Sequence, residues 1–272
     1  MKIGNKDFDV ENHAYVMGIL NVTPDSFSDG GKWNDLDAAL KHTEEMLTDG
    51  ADIIDIGGES TRPGYTRISC REELFRVLPV LSMIKETFRI PVSVDTYKAE
   101  VARETLAAGA DMINDIWGLM EDTEMAGVIA DSGAACCLMH NRREASYTDL
   151  IPEMNGDFER ILQKASEAGI ASEKIIMDPG IGFAKSYEDN MRVLAHLEDF
   201  KAAGYPMLLG SSRKSVIGLT LDLPAGDRLE GTLATTALAV MAGYGFVRVH
   251  DIAANVRMIR MLEAVRGFRD KQ

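Results

Sequence analysis

Short, mostly apolar runs recur along the chain, separated by longer stretches in which apolar residues return at helical spacing. The eight runs occupy 14–20, 52–57, 91–95, 111–115, 134–139, 174–178, 207–210 and 246–250. They lack the strict alternation of a sheet with one wet face, which is typical of parallel strands that are covered on both sides. We therefore predict eight buried strands.

The stretches between the runs predict helices. In the first, Leu36, Leu40 and Leu47 share one face, and Asn34 or Asp35 is the expected N-cap. The other predicted helices cover about 71–89, the residues after 95 to about 108, 122–132, 157–169, the segment that Ser186 and Asp189 open with a capping-box pattern, 231–243 and the residues after 250.

Eight strands, each followed by a helix, predict an α/β fold: a closed (β/α)₈ TIM barrel. We expect it to form a single domain over residues 1–272, with a short N-terminal hairpin or lead-in at 1–13. An open doubly wound sheet is the alternative. However, GILNVTPDSFSDGG at 18–31 does not supply the glycine spacing of a dinucleotide site.

Composition narrows the possible partners. The chain has 272 residues, 46% of them hydrophobic, and a net charge of −14, which argues against nucleic acid as a partner. A few cations concentrated in one cleft would still take a phosphorylated ligand. The three cysteines, two of them adjacent, fit neither a disulfide framework nor a zinc site. Without a signal-peptide pattern or a run long enough to cross a bilayer, we expect a soluble cytoplasmic protein with no membrane partner.

Polar residues stand where the predicted strands end, and in a barrel of this kind ligands bind at those ends. All eight ends carry at least one: Asn21, Asp55, Asp95, Asn114 with Asp115, His140, Asp178, Ser212 to Lys214, and Arg248 with His250. Each alone has a structural explanation, because Asp and Asn favour the starts of loops. Their recurrence at every end indicates a site.

One group of these residues is suited to an anion. Asn21, Arg248 and His250 belong to the first and last strands, which are neighbours in a closed barrel. Together they predict a corner for an anion or a metal–phosphate group. In MLLGSSRKSVIG at 207–218, a Gly–Ser–Ser turn delivers Arg213 and Lys214 together, another common way to present positive charge, although solvated loop cations are the alternative.

A second group is suited to a flat heterocycle rich in N–H donors. Asp95, Asn114 and Asp178 supply acceptors across the barrel mouth, and Lys214 can reach an acceptor on such a ring. Phe183 offers a face for an aromatic ring, with loop packing as the alternative. The loops after the first two strands have the Gly, Pro and Ser content of mobile lids.

Seven segments resemble, in order, the motif series of the dihydropteroate synthase family. They are GILNVTPDSFSDGG (18–31), DIGGESTRPG (55–64), SVDTYK (93–98), INDIWG (113–118), DPGIGFAKS (178–186), SSRKS (211–215) and RVHD (248–251). The resemblance runs from about Tyr15 to Asp251, and several of the segments are long enough to be specific. The loop MHNRREASY at 139–147 is more idiosyncratic.

The resemblance implies the reaction and the roles of matching residues. Members of the family join 6-hydroxymethyl-7,8-dihydropterin pyrophosphate to p-aminobenzoate, giving 7,8-dihydropteroate and pyrophosphate. The pterin ligands would be Asp95, Asn114, Asp178 and Lys214, with Asp178 pairing with the 2-amino group and the adjacent N–H. The pyrophosphate ligands would be Asn21, Arg248 and His250, which with Lys214 form the catalytic set. Mg²⁺ would bind near Asn21, with Asp25 and Asp29 as further candidates. The p-aminobenzoate side would consist of Thr61, Arg62, Pro63, Phe183 and Ser212.

We expect a dissociative, SN1-like route, because the pterin can share positive charge developing on its exocyclic carbon while cations neutralise the departing pyrophosphate. Replacing Arg248 or His250 by Ala should then lower turnover far more than pterin binding. The mostly apolar or small helix near 231–243, together with the family's habit, also predicts a homodimer through that helix and the one near 252–268.

Three rival functions remain open on the sequence. A methyltetrahydrofolate–corrinoid methyltransferase would need no pyrophosphate pocket, which GESTRPG and SSRKS argue against. A Schiff-base aldolase would use Lys98 or Lys214, and borohydride trapping would reveal it. A catalytically silent paralogue would bind a pterin without forming product.

Overall fold

The structure, a computed structural model, describes residues 1–23, 31–60, 66–200 and 204–269. Five candidate residues lie outside these ranges, and the roles expected of them stay predictions: Asp25, Asp29, Thr61, Arg62 and Pro63.

Eight parallel strands form the barrel, at the positions that the apolar runs predict. They are β3 (Tyr15–Asn21), β4 (Ile53–Gly57), β5 (Val92–Asp95), β6 (Met112–Asp115), β7 (Ala135–Met139), β8 (Ile175–Asp178), β9 (Leu208–Leu209) and β10 (Phe246–Val249). Neighbours in sequence pair from β3 to β8, while β10 lies between β3 and β9. A bridge between Met177 and Met207 joins the β8 edge to the chain entering β9, so the barrel nearly closes.

Helices cover the outside of the barrel. They are α1 (Gly31–Thr48), α2 (Cys70–Thr87), α3 (Ala99–Ala107), α4 (Met125–Ser132), α5 (Leu150–Ala168), α6 (Tyr187–Ala195), α7 (Leu197–Phe200), α8 (Ser215–Leu221), α9 (Leu229–Met241) and α10 (Ile252–Arg269). The capping box predicted at Ser186 and Asp189 is confirmed. The short helices α7 and α8 were not predicted, because each is too short to show a helical period.

Two predicted helix starts are wrong. α1 begins at Gly31, so Asn34 and Asp35 lie inside the helix and not at its N-cap position. α5 begins at Leu150 and not at 157. Pro152 makes that stretch resemble a loop, but it occupies the first turn, where no backbone N–H is needed. The Glu153 carboxylate completes this start by accepting the N–H groups of the two preceding loop residues at 2.7 and 2.9 Å.

Alternation along the strands separates two apolar clusters. Ile54, Val94 and Leu138 belong to the large cluster between barrel and helices. Residues one position away, such as Ile53 and Met112, form a second cluster inside the barrel. Both faces of each strand are therefore buried, as the non-alternating runs predicted.

The N-terminal segment closes one end of this interior. β1 (Lys2–Ile3) and β2 (Lys6–Asp7) form the antiparallel hairpin that residues 1–13 predicted. Ile3 and Phe8 are buried in the inner cluster, and the Phe8 ring lies 4.8 Å from the Tyr15 ring and 5.6 Å from the Phe246 ring. Because Tyr15 and Phe246 begin their strands, the hairpin covers the mouth at the strands' amino ends. A ligand site is left to the carboxyl ends.

Among the described residues, no helix is long and apolar enough to cross a membrane.

Candidate active site

An arginine and two aspartates meet across the carboxyl-end mouth of the barrel. Arg248 on β10 donates from Nε to Asp55 Oδ2 at 2.6 Å and from Nη2 to Asp95 Oδ2 at 2.8 Å. The Asn114 side-chain amide donates to the same Asp55 oxygen at 3.2 Å. Since β10 and β5 are not neighbouring strands, these bonds cross the interior. Arg248, Asp95 and Asn114, predicted at separate strand ends, therefore share one site.

The burial of these charges leaves unused hydrogen-bonding capacity. Asp55 is completely buried and Asp95 almost so, yet Oδ1 of each has no partner among the described residues. Burial raises the pKa of Asp95 to about 7, although Arg248 opposes this shift. Buried acceptors without donors are rare in folded proteins and call for an explanation. A ligand rich in N–H groups would provide it.

Asp178 and Lys214 face each other through one backbone turn. Asp178, at the end of β8, accepts the N–H of Gly180 at 2.7 Å, and Lys214 Nζ donates to the carbonyl of Ile181. Burial raises the pKa of Asp178. Burial also lowers the pKa of Lys214 to about 8, while the charges of Asp178 and Asp95 oppose the shift. The lysine thus completes a mouth with acceptors on several strands and a cation beside them.

The turn that follows β8 is shaped by glycine. Gly180 has φ +68°, and a Cβ there would lie 2.1 Å from the carbonyl oxygen of His140, so no other residue fits. Gly182 has φ +83°, and the Lys214 stem passes 3.2 Å from the position of its missing Cβ. The turn ends with Phe183, whose ring centre lies 4.7 Å from Lys214 Nζ. Phe183 therefore stands at the mouth, where the sequence placed an aromatic face.

A second lysine lies behind this turn. Lys185 Nζ donates to the carbonyls of Gly180 and Phe183, both at 3.1 Å, and to His140 Nδ1 at 3.0 Å. His140 is fully buried, and burial lowers its pKa to about 2, so the ring is neutral. A carboxylate can only accept, so the neutral ring carries its proton on Nε2, 2.9 Å from Asp157, and Nδ1 accepts from Lys185, whose pKa burial lowers to about 7. Thus His140 at the end of β7 belongs to the support of the turn.

The turn after β9 separates the two cations that the sequence grouped together. Arg213, with φ +57°, donates to both oxygens of Asp251 at 3.0 and 2.5 Å. Only Lys214 reaches the mouth, so the expectation that both cations are presented together is wrong. Ser212 Oγ lies 3.0 Å from His250 Nδ1 and accepts the His250 N–H at 3.2 Å. Those two candidates therefore form one contact beside Arg248.

Asn21 ends β3 beside the same mouth. Its Oδ1 lies 3.4 Å from where a Cβ on Gly57 would be, and Asp95 Cβ lies 3.9 Å from that point. In the part of the chain that the structure describes, no group of three or more His, Cys, Asp or Glu side chains could hold a metal ion. The donor set at Asn21 suits a divalent cation that a diphosphate brings with it, because Mg²⁺ is usually held by one or two protein oxygens, phosphate and water.

Two residues of the site, Asp55 and Lys185, are not among the ligands that the sequence predicts. Asp55 stands at a predicted strand end without an assigned role, and Lys185 appears only as part of a motif. Asp55 lies two positions after Ile53 in a buried run, so the two side chains lie on the same face of the strand. A charged residue at such a position is the sequence signal for Asp55. No sequence signal places Lys185 behind the turn, because its partner His140 lies far away along the chain.

Comparison with known proteins agrees with this geometry. A protein-family model described as pterin binding enzyme matches residues 17–250, so the chain belongs to that family. The match begins within β3 and ends at His250, so it runs through the barrel from its first strand to its last.

Within the family, the relatives are dihydropteroate synthases. The chain is 53% identical over 266 residues to the dihydropteroate synthase of Clostridium beijerinckii, covering 97% of this chain and 99% of that protein. It is 54% identical over 250 residues to that of Bacillus subtilis, covering 92% and 88%. A crystal structure of the Clostridium difficile enzyme in the presence of pteroic acid superposes with a TM-score of 0.93 at 50% identity, covering 95% of this chain and 99% of that one. The chain therefore takes its place among the dihydropteroate synthases, the transferases of folate biosynthesis.

Proposed function

We propose that this chain transfers the pterinylmethyl group of 6-hydroxymethyl-7,8-dihydropterin pyrophosphate to p-aminobenzoate, with release of pyrophosphate. The observation that carries the proposal is the meeting of Asp95, Asn114, Asp178, Lys214 and Arg248 at one mouth of the barrel. Acceptors on one side and cations on the other suit a substrate that joins a planar heterocycle to a diphosphate.

The pterin lies, in this proposal, against the acceptors. Asp178 keeps one carboxylate oxygen on Gly180 and offers the other to the 2-amino group and the ring N–H beside it. The buried Oδ1 of Asp95 and the Asn114 side chain supply further polar contacts. Lys214 donates to an acceptor on the ring while holding the Ile181 carbonyl with another of its three hydrogens.

The diphosphate lies toward Asn21, Arg248 and His250. Arg248 already uses its Nε hydrogen and one Nη2 hydrogen on carboxylates, so among its described contacts both Nη1 hydrogens and the second Nη2 hydrogen have capacity to spare. Asn21 would hold Mg²⁺, with Asp25 and Asp29 as further candidate ligands. When bound, the cation supplies positive charge that stabilises the leaving group.

p-Aminobenzoate binds at the outer side of the mouth. Phe183 gives its ring an aromatic face, and Ser212 with Lys214 lines the approach. Thr61, Arg62 and Pro63 complete this side in the proposal.

The chain's own residues then favour a dissociative, SN1-like route. Arg248 and His250 stabilise charge on the departing diphosphate, while the carboxylates of Asp95 and Asp178 stabilise the positive charge that the pterin acquires. An arylamine is mostly unprotonated at neutral pH, so the amine attacks without a strong base. The N-terminal hairpin covers the amino-end mouth of the barrel, which keeps water on that side from reaching the positively charged pterin.

The decisive experiment is a pyrophosphate-release assay with each substrate alone and with both together. We expect release only when both are present, with one 7,8-dihydropteroate formed for each pyrophosphate. Pterin binding without product would identify a silent paralogue. Borohydride trapping at Lys98 or Lys214 would identify a Schiff-base enzyme, although Lys98 is held by Glu59 and Glu73, both at 2.6 Å.

We further propose a cytoplasmic homodimer in which residues 1–272 work as one domain. Leu238 and Met241 on α9 are 50% and 69% exposed, and Met261 and Phe268 on α10 are 65% and 74% exposed. A second copy would cover these exposed apolar side chains. Light scattering of the wild type should give twice the chain mass, and Met241→Glu with Met261→Glu should give the monomer. A monomeric wild type would contradict the proposal.

A further inference from the structure

Lys185 is a partly buried cation next to the proposed site, and the proposed chemistry does not use its contacts. It follows the turn 180–184 and lies behind it, on the side away from the mouth. Its three hydrogens have three acceptors: the carbonyls of Gly180 and Phe183 at 3.1 Å and His140 Nδ1 at 3.0 Å. A protonated lysine therefore satisfies this site completely, whereas a neutral amine, with two hydrogens, would leave one acceptor without a donor.

The turn itself depends on support from side chains. Gly180 and Gly182 are in the left-handed region, and so is Ala184 at φ +43°, where a residue with a Cβ is strained. Each neighbouring element contributes one bond: Asp178 Oδ1 accepts the Gly180 N–H at 2.7 Å, Asn190 Oδ1 accepts the Gly182 N–H at 2.6 Å, and the Tyr147 hydroxyl donates to the Ala184 carbonyl at 3.0 Å. Lys185 contributes two bonds to the turn from one atom, while its third bond goes to His140, and it is the only one of these side-chain supports that holds Phe183.

The front of the same turn faces the substrates. The Ile181 carbonyl accepts from Lys214, and the Phe183 ring lies 4.7 Å from the same ammonium. The position of Phe183 relative to Lys214 is thus fixed from behind by Lys185, through the Phe183 carbonyl and through Gly180, whose carbonyl also accepts the Phe183 N–H at 3.1 Å.

The support behind Lys185 is itself anchored. His140 Nε2 lies 2.9 Å from Asp157 on α5, and Arg142 Nε donates to the same Asp157 oxygen at 2.6 Å. The neutral ring can present Nδ1 as an acceptor because its other nitrogen donates to this carboxylate. The chain from α5 to the turn is therefore continuous.

We propose that Lys185 is a positioning residue that holds the turn 180–184 so that Phe183 and Lys214 together form the p-aminobenzoate side of the site. It touches no substrate, and it acts through Phe183. This inference rests on the proposed function for its effect on p-aminobenzoate, whereas its effect on the turn does not.

Kinetics of Lys185→Met test the effect on p-aminobenzoate, because methionine keeps the apolar stem of the side chain and removes its three hydrogen-bond donors. We expect KM for p-aminobenzoate to rise about tenfold or more, since small displacements of positioning groups have large effects. We expect the Kd of the pterin substrate, measured without p-aminobenzoate, to stay within about twofold, because Asp178 keeps its own bond to Gly180. The control is Lys164→Met, which removes another partly buried lysine that donates to a backbone carbonyl, that of Leu119.

A double-mutant cycle tests the route through Phe183. In the Phe183→Ala background, Lys185→Met should change KM for p-aminobenzoate by less than about twofold. An equal change in both backgrounds would overturn the proposal, and so would an unchanged KM in the single variant or a parallel loss of pterin affinity. Lys185→Arg keeps the charge but cannot direct three bonds from one nitrogen, so we expect it to restore only part of the loss. It also replaces the methionine variant if that protein does not fold.

Hydrogen exchange tests the turn without any turnover. In Lys185→Met the Phe183 amide should exchange faster, while the Gly182 amide, bonded to Asn190, should keep its rate. Unchanged exchange at Phe183 would overturn the positioning role. Failure of the wild type to make product would contradict the proposed function and leave this exchange result standing, so the two failures are distinguishable.

Discussion

The two ends of the barrel interior use the same strand geometry for opposite purposes. At the amino ends, inward positions carry Ile53, Met112 and Phe246, and the N-terminal hairpin covers them with Ile3 and Phe8. At the carboxyl ends, positions of the same alternation carry charged and amide side chains, among them carboxylate oxygens without described partners. Both ends are about equally buried, so burial alone does not distinguish a core from a site.

The difference lies in what each end leaves unsatisfied. Apolar side chains at the covered end stabilise the folded protein when they are buried, and they offer a ligand no hydrogen-bonding group. At the open end, Arg248 balances Asp55 and Asp95 only in part, and the remaining capacity is realised when a ligand binds. The residues that stabilise the fold and the residues proposed for the chemistry therefore lie at opposite ends of the same strands.

The largest effect should follow from removing the charge that balances the open end. Arg248→Met leaves Asp55 and Asp95 buried without their cation, and breaking such a pair costs about 3–5 kcal/mol of unfolding free energy. Because Arg248 also contacts the pterin-side acceptor Asp95, we expect pterin affinity to fall as well, but far less than turnover. Urea unfolding, calorimetry and the pyrophosphate assay measure the three quantities.

The pH dependence of this variant has a definite sign. Burial already raises the pKa of Asp95 to about 7, so the folded chain binds a proton more readily than the unfolded one. Stability therefore increases as the proton is bound, and the deficit of Arg248→Met should be greatest above about pH 7 and shrink toward pH 5. A deficit that grows on acidification would contradict the role of the carboxylates.

At the covered end we expect a comparable loss of stability with no loss of chemistry. Phe8 is 2% exposed, and Phe8→Ala should lower the unfolding free energy by about 3–5 kcal/mol. kcat and both KM values, measured well below the melting temperature, should stay near those of the wild type. Phe75→Ala is the matched control, because Phe75 is 58% exposed and should cost less than about 0.5 kcal/mol. A strong loss of activity in Phe8→Ala would break the separation of the two ends.

The sequence predicted the covered end and the strands better than the details of the open end. Apolar runs and their spacing are local properties, so all eight strands and the hairpin could be located from them. The pairing of Arg248 with Asp55, and the pairing of Lys185 with His140, depend on which strands meet across the barrel. Arg213 shows the same limit, because its neighbour Lys214 reaches the mouth while Arg213 pairs with Asp251. Sequence proximity did not decide which cation faces the site.

His250→Ala should separate leaving-group stabilisation from pterin binding. His250 contacts Ser212 and lies beyond the pterin-side acceptors, so we expect kcat to fall roughly 10²-fold, as for other groups that stabilise developing charge. The Kd of the pterin substrate should change by less than about threefold. Ser212→Ala is the companion variant, because it removes the contact to His250 but leaves the imidazole in place. An equal loss of kcat and affinity in His250→Ala would place this residue on the pterin side of the mouth.

The smallest predicted effect is a fall in pterin affinity at alkaline pH, caused by deprotonation of Lys214. Burial lowers the pKa of Lys214 to about 8, so above that pH the free enzyme loses the proton that it would donate to the pterin. We expect pterin affinity, measured without p-aminobenzoate so that the rest of the site does not contribute, to fall as pH rises from about 7.5 to 9, approaching tenfold per unit. Lys214→Arg should bind more weakly but remove this pH dependence, because a guanidinium does not titrate in that range. If this pH dependence persists in the arginine variant, a group other than Lys214 carries it.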